Sequence, residues 1–301
     1  MNIAKIQPHF AAACLLALSL LACEDSATNS AGGDIEAGQI LSDVGGKVIL
    51  GTYQDLDAKA GTLADAVAKF KGSKAQADLD AAKQAWKEAR RPWEQSEAFL
   101  FGPVSAKGID PSIDSWPVNK TDLDGVLKGP AALTMDYIDT QEGTLKGFHT
   151  MEYLLFGSGT AKAAADFTDR ELEYLSAVTL SFKGAVSLLR TSWEPAAGNY
   201  VKSLAEAGQG SSIYQSRKSA IQELVNGMIG ICDEVASGKI NDPFSQGDRS
   251  LGNPNSATIP TRISPITSAA CRTCTWDATG RPRAAAYRNS WPSRRRTSTP
   301  A

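Results

Sequence analysis

Histidine is the residue type this chain of 301 has least of: two only, His9 and His149. His9 precedes an apolar N-terminal run that reads as a cleaved leader, which leaves His149 as the sole imidazole of the mature chain. That scarcity excludes the two-histidine zinc site of His-Glu-x-x-His peptidases, and any serine or cysteine triad not built on His149. Strand patterning is also missing, and so are short repeats. The apolar residues recur at helical rather than alternating spacing, so the expected fold is all-α, most simply an up-and-down bundle. Lysine is absent from Arg249 onward, where nine Arg and a single acid, Asp277, are found. With those and Lys5 set aside, 21 basic residues face 32 acidic ones. An acidic body excludes nucleic acid as a partner and suits cations.

The N-terminus carries Lys5 and then an apolar run from Phe10 to Ala22 that is too short to span a bilayer. It ends Leu20-Leu21-Ala22-Cys23, which resembles a bacterial lipobox. The expectation is a signal peptide over 1–22 and lipidation of Cys23. A polar tether over 23–33 would then hold the protein to a membrane surface in the bacterial envelope, facing the periplasm or on the outer membrane. A plain secretory signal with a chance cysteine is the alternative.

The helical body is expected over 34–248. Helical spacing marks Ile35 to about Phe70, with glycines that bend or divide it. A second run covers Ala75 to about Phe101 and is interrupted at Pro92. A long, rigid loop follows, then short helices over Thr121–Leu127 and Ala131–Ile138. Thr168 with Glu171 makes a capping box that opens a long helix reaching Trp193, and Ser211 to Val235 is the last. From Arg249 onward Pro, Ser, Thr and Arg dominate. The stretch 249–301 reads either as a disordered basic tail or as a slipped reading frame. Rebuilding codons out of register over Asn253–Thr279 yields amphipathic, helix-like text with a further histidine. Cys271 and Cys274 there lack the remaining ligands of a metal site.

Three stretches can carry chemistry. In Gly147-Phe148-His149-Thr150-Met151-Glu152, the imidazole and carboxylate are three apart and share a helical face, a spacing that lets both serve one zinc or iron ion. A histidine merely hydrogen-bonded to its neighbour fits the same spacing. In Arg90-Arg91-Pro92-Trp93-Glu94-Gln95-Ser96-Glu97, Glu94 and Glu97 are likewise three apart. Glu97 sits in an apolar run where a carboxylate needs a cation, whether a metal or an Arg such as Arg90, Arg91 or Arg170. The stretch Ile109-Asp110-Pro111-Ser112-Ile113-Asp114 offers two acids, which also suit turn chemistry.

In this order, with Glu97 opening Glu-Ala-Phe-Leu-Phe-Gly-Pro and Trp116-Pro117-Val118-Asn119 following Asp114, the three stretches resemble the imelysin family over about Ile35–Asp248. The resemblance implies an all-helical fold of two bundle-like halves, the second truncated here, in an exported protein linked to iron acquisition. It implies a metal motif at Gly147, His149 and Glu152, with Glu97 and Asp114 as companion ligands and Glu94 and Asp110 as support. The cofactor would be a divalent or ferric ion, iron or zinc, and the partners iron-uptake components. Metal binding, metallopeptidase activity and a structural role without metal all remain open at this point. A carboxylate-rich set suits iron better than a tuned zinc hydroxide.

Overall fold

The computed structural model describes residues 30–157 and 162–246. The expected leader, Cys23 with most of the tether, and the stretch 249–301 lie outside the described residues. Contacts divide the chain into two units, Met1–Ala37 and Gly38–Ala301. The described part of the first is the start of helix α1 (Ser30–Asp43), which begins inside the stretch 23–33 that composition marks as a tether.

In the second unit, α1 runs on through a π-helical stretch, Val44–Ile49, into α2 (Leu50–Ser73). Gly45 and Gly46 thus loosen the helix without breaking it, a common place for a π-bulge. Lys74 closes α2 in the left-handed conformation, its N–H on Phe70 O at 2.8 Å, and the chain turns into α3 (Gln76–Ser96). Pro92 lies within α3, and the helix tightens to a 3-10 turn at Glu97–Phe99.

The capping box at Thr168 is present. Glu171 N–H donates to Thr168 Oγ1 at 3.2 Å, and Thr168 N–H to Glu171 Oε2 at 2.9 Å. It opens α9 (Asp169–Trp193). Helix α2 packs on both α3 and α9, and Tyr53, Leu56, Phe70, Trp86, Phe182 and Trp193 on these three helices are fully buried. Buried aromatics of this size each hide roughly 150–250 Å² from water.

Helix α8 (Gly147–Phe156) is set between α3 and α9. Trp86 Nε1–H donates to Phe148 O at 3.1 Å, and the Phe148 and Phe182 rings stand 4.5 Å apart, centroid to centroid. The segment read as a long loop holds two short helices instead, α4 (Pro103–Ala106) and α5 (Asp110–Asp114). Pro103 and Pro111 occupy first turns, where a missing N–H costs no helical bond. Helices α6 (Lys120–Lys128) and α7 (Met135–Asp139) follow, capped by Asn119 and Thr134.

After α10 (Tyr200–Ala205) comes α11 (Arg217–Asp233). It starts later than Ser211 because Ser216 is its cap, accepting from Ser219 N–H at 3.1 Å. A π-helical stretch, Glu234–Asn241, and α12 (Asp242–Gln246) end the described chain. Helix α11 lies flush on the 3-10 turn. A Cβ on Gly227 would stand 2.3 Å from Ala98 O, so only glycine allows the approach. Its outer side leaves Ile221, Val225 and Ile229 exposed at four-residue spacing. Among the described residues there is no strand, in keeping with the all-α expectation.

Candidate metal centre

The site forms where α3, α5 and α8 meet, and Gly147 sets the meeting. Its φ is +77°, and a Cβ there would lie 2.4 Å from Ile113 O. Only glycine lets the start of α8 rest directly on the backbone of α5. That contact places His149, in the first turn of α8, against Asp114, the last residue of α5.

The side chains form one continuous chain of hydrogen bonds. Glu152 Oε2 is 3.1 Å from His149 Nδ1, and His149 Nε2 is 3.2 Å from Asp114 Oδ1. The same Asp114 oxygen accepts from Arg90 Nη1, while Asp114 Oδ2 accepts from Trp93 Nε1 at 2.7 Å. Arg90 Nε reaches Glu94 Oε1 at 2.6 Å. Arg90, Glu94, His149 and Glu152 are all buried. Trp116 closes one side, its ring edge-on to the imidazole with centroids 4.8 Å apart, and the Arg90 guanidinium lies 5.0 Å from the Phe148 ring.

Burial alone would favour a neutral imidazole. The hydrogen bonds to Asp114 and Glu152 outweigh it and raise the His149 pKa above its ordinary 6.5. Below that raised value both ring nitrogens carry protons, one facing each carboxylate. Burial would likewise raise Asp114, but Arg90, with His149 behind it, holds this carboxyl well below the usual range. Arg90 is pushed further above its ordinary value, Asp114 and Glu94 outweighing desolvation, and Glu97 adds to the field. Asp110 moves the other way, raised by burial and by the charge of Asp114.

Of the residues singled out from sequence, His149, Glu152, Asp114 and Glu94 thus meet in one network. Glu97 stands beside them: single oxygens of Glu94, Glu97 and Asp114 lie within 4.8 Å of one another. Asp110 acts on them through its charge, and Gly147 through packing. Glu152 faces the nitrogen of His149 that points away from Asp114, so in this geometry it orients the ring. Arg90 sits at the centre, although sequence offers it only as one of several possible ion-pair partners for Glu97. Its buried four-residue spacing to Glu94 was the available signal. Trp93 and Trp116 gave none, because their partners are distant in the chain.

Do these residues suit a metal? Three clustered carboxylates are the donors a hard cation takes. An imidazole whose far N–H is fixed by a carboxylate is how a metal-binding histidine is commonly oriented. The donor set of Glu94, Glu97 and Asp114 fits a hard cation, and His149 Nε2, 3.2 Å from Asp114 Oδ1, is a neighbouring donor outside that 4.8 Å cluster. Arg90 already bonds two of these carboxylates, at Glu94 Oε1 and Asp114 Oδ1.

Fold and site together define an all-helical protein with a buried imidazole–carboxylate–guanidinium cluster at a three-helix junction. The imelysin family profile matches residues 49–264, and the chain belongs to that family. The match continues past Arg249, where the composition changes. Iron-regulated protein A of Synechococcus elongatus is 32% identical over 200 residues, which are 66% of this chain and 52% of that protein. The chain therefore spans about half the length of that relative. The crystal structure of an iron-regulated protein A precursor from Parabacteroides distasonis is similar at a TM-score of 0.71 and 26% identity, over 87% of this chain and 77% of that one. An imelysin-like protein from Psychrobacter arcticum shares the fold, with a TM-score of 0.57 and 16% identity over 79% and 80% of the two chains.

Proposed function

We propose that this protein binds a metal ion, iron or zinc, or a ligand bearing one, through Glu94, Glu97, Asp114 and His149, and that it serves iron uptake. The observation that carries the reading is the convergence of three carboxylates from α3, its 3-10 extension and α5 beside the only histidine of the body. The names of two relatives, both iron-regulated proteins, favour iron. In this reading Cys23 is lipidated and holds the protein to a membrane surface of the bacterial envelope, where components of iron uptake are its partners. A metallopeptidase would further require a free general base near the metal-bound water. Glu152, the motif's carboxylate, is engaged with His149 Nδ1.

Calorimetric titration of the purified chain with ferrous, ferric and zinc ions tests the proposal, with His149→Ala and Asp114→Asn alongside. Saturable binding at micromolar metal that both substitutions weaken is expected. Absence of binding by the folded wild type would leave the cluster a structural network of ion pairs.

A further inference from the structure

The acid cluster already holds a cation. Arg90 bridges two of its acids: Nε is 2.6 Å from Glu94 Oε1, and Nη1 donates to Asp114 Oδ1. Those are two of the three carboxylates whose oxygens gather within 4.8 Å. Asp114 has little capacity to spare, since Oδ1 also receives His149 and Oδ2 receives Trp93. A metal ion taking Glu94 Oε1 and Asp114 Oδ1 would compete with the guanidinium for those same two oxygens.

We propose that Arg90 is the resident counter-cation of the cluster, and that metal binds by exchange, displacing the guanidinium from Glu94 and Asp114. This rests on the metal-binding reading above. The charge balance favours such a design. Carboxylates this close, Glu94 buried and Glu97 and Asp114 half-buried, would repel one another if left uncompensated. A tethered guanidinium neutralises them until an ion of higher charge arrives. Arginine suits the task because its planar fork bonds two carboxylates at once and keeps its proton at any physiological pH. The displaced group also has a second contact to hold it, the Phe148 ring 5.0 Å from the guanidinium carbon. Exchange sets a threshold: monovalent ions carry no more charge than Arg90 and do not displace it, whereas divalent and trivalent ions do.

The test compares metal affinity in the full chain for wild type, Arg90→Met and Arg90→Lys, by calorimetry with zinc and with ferrous ion under anaerobic conditions. Exchange predicts that Arg90→Met binds at least about tenfold more tightly than wild type, because the competitor is gone. Arg90→Lys keeps the charge but loses the fork, and falls between them. A purely structural arginine gives the opposite sign, since its loss scatters the ligands. Equal or weaker binding by a folded Arg90→Met overturns the exchange and leaves the metal site standing. If neither wild type nor Arg90→Met binds, both readings fall. Should Arg90→Met be unfolded when metal-free, its helical circular dichroism is followed during metal addition. Recovery on metal supports the exchange, and lack of recovery overturns it.

Discussion

His149 Nε2 lies 3.2 Å from Asp114 Oδ1, although the two residues belong to different helices, because Gly147 lets α8 rest on the α5 backbone. The other nitrogen is 3.1 Å from Glu152. Held from both sides, the ring has one orientation, and each carboxylate has a distinct role. Asp114 connects the imidazole to the acid cluster, and Glu152 fixes the ring. If Glu152 orients rather than ligates, Glu152→Ala should lower metal affinity about 10- to 100-fold without abolishing it. Glu152→Gln, which can still accept from Nδ1–H, should cost less. Complete loss of calorimetric binding in the folded Gln variant would instead make Glu152 a direct ligand.

Acidity gives a second prediction. The folded-state pKa of His149 is raised above 6.5, with its hydrogen bonds to Asp114 and Glu152 outweighing burial. The stability contributed by the charged ring is therefore complete below the unfolded value of 6.5. It is lost as pH rises through the higher folded value. The melting temperature of the metal-free protein should fall across that window above 6.5, and His149→Gln should remove this component. Metal must replace the proton on Nε2, so metal affinity should rise over the same window. Thermal melts and titrations at stepped pH read both. A wild-type melting curve unchanged across the window would contradict the charged assignment.

Gly147 is the most restrictive position of the site. Any side chain there meets a strained backbone angle and the Ile113 carbonyl at 2.4 Å. Gly147→Ala should destabilise by more than about 1 kcal/mol, measured by denaturant titration, since alanine at positive φ costs more than its entropic gain returns. It should also weaken metal binding by parting His149 from Asp114. A stable variant with wild-type affinity would show that α8 can shift without cost.

How much of this was legible in advance follows from the range of each interaction. The Thr168–Glu171 cap and the helix to Trp193 are local, and three-residue spacing is enough to foresee them. So is the His149–Glu152 pair. The acids Glu94, Glu97 and Asp114 could be named as candidates, through family motifs and unusual context. Arg90 could not be placed at the centre, because what defines it is that α5 and α8 deliver Asp114 and His149 to the same point. That is tertiary information. The helix Asp110–Asp114 is hidden for another reason: five residues are too few to show a helical period, and Pro111 reads as loop.

The last prediction concerns α11. Ile221, Val225 and Ile229 recur every fourth residue on its outer side, with Ile229 61% exposed, and Phe244 of α12 is 86% exposed. Scattered exposed apolar residues are ordinary, but a stripe along one helix promotes association. The purified chain should self-associate with rising concentration, and Ile229→Lys should reduce this in light scattering. The substitution should alter stability by no more than about 0.5 kcal/mol, as expected of a surface position without structural partners. A large loss of stability in the Lys variant, with association unchanged, would mean that this stripe is packed within the molecule in solution. The opposite result would identify the outer side of α11 as the surface through which copies of the chain meet.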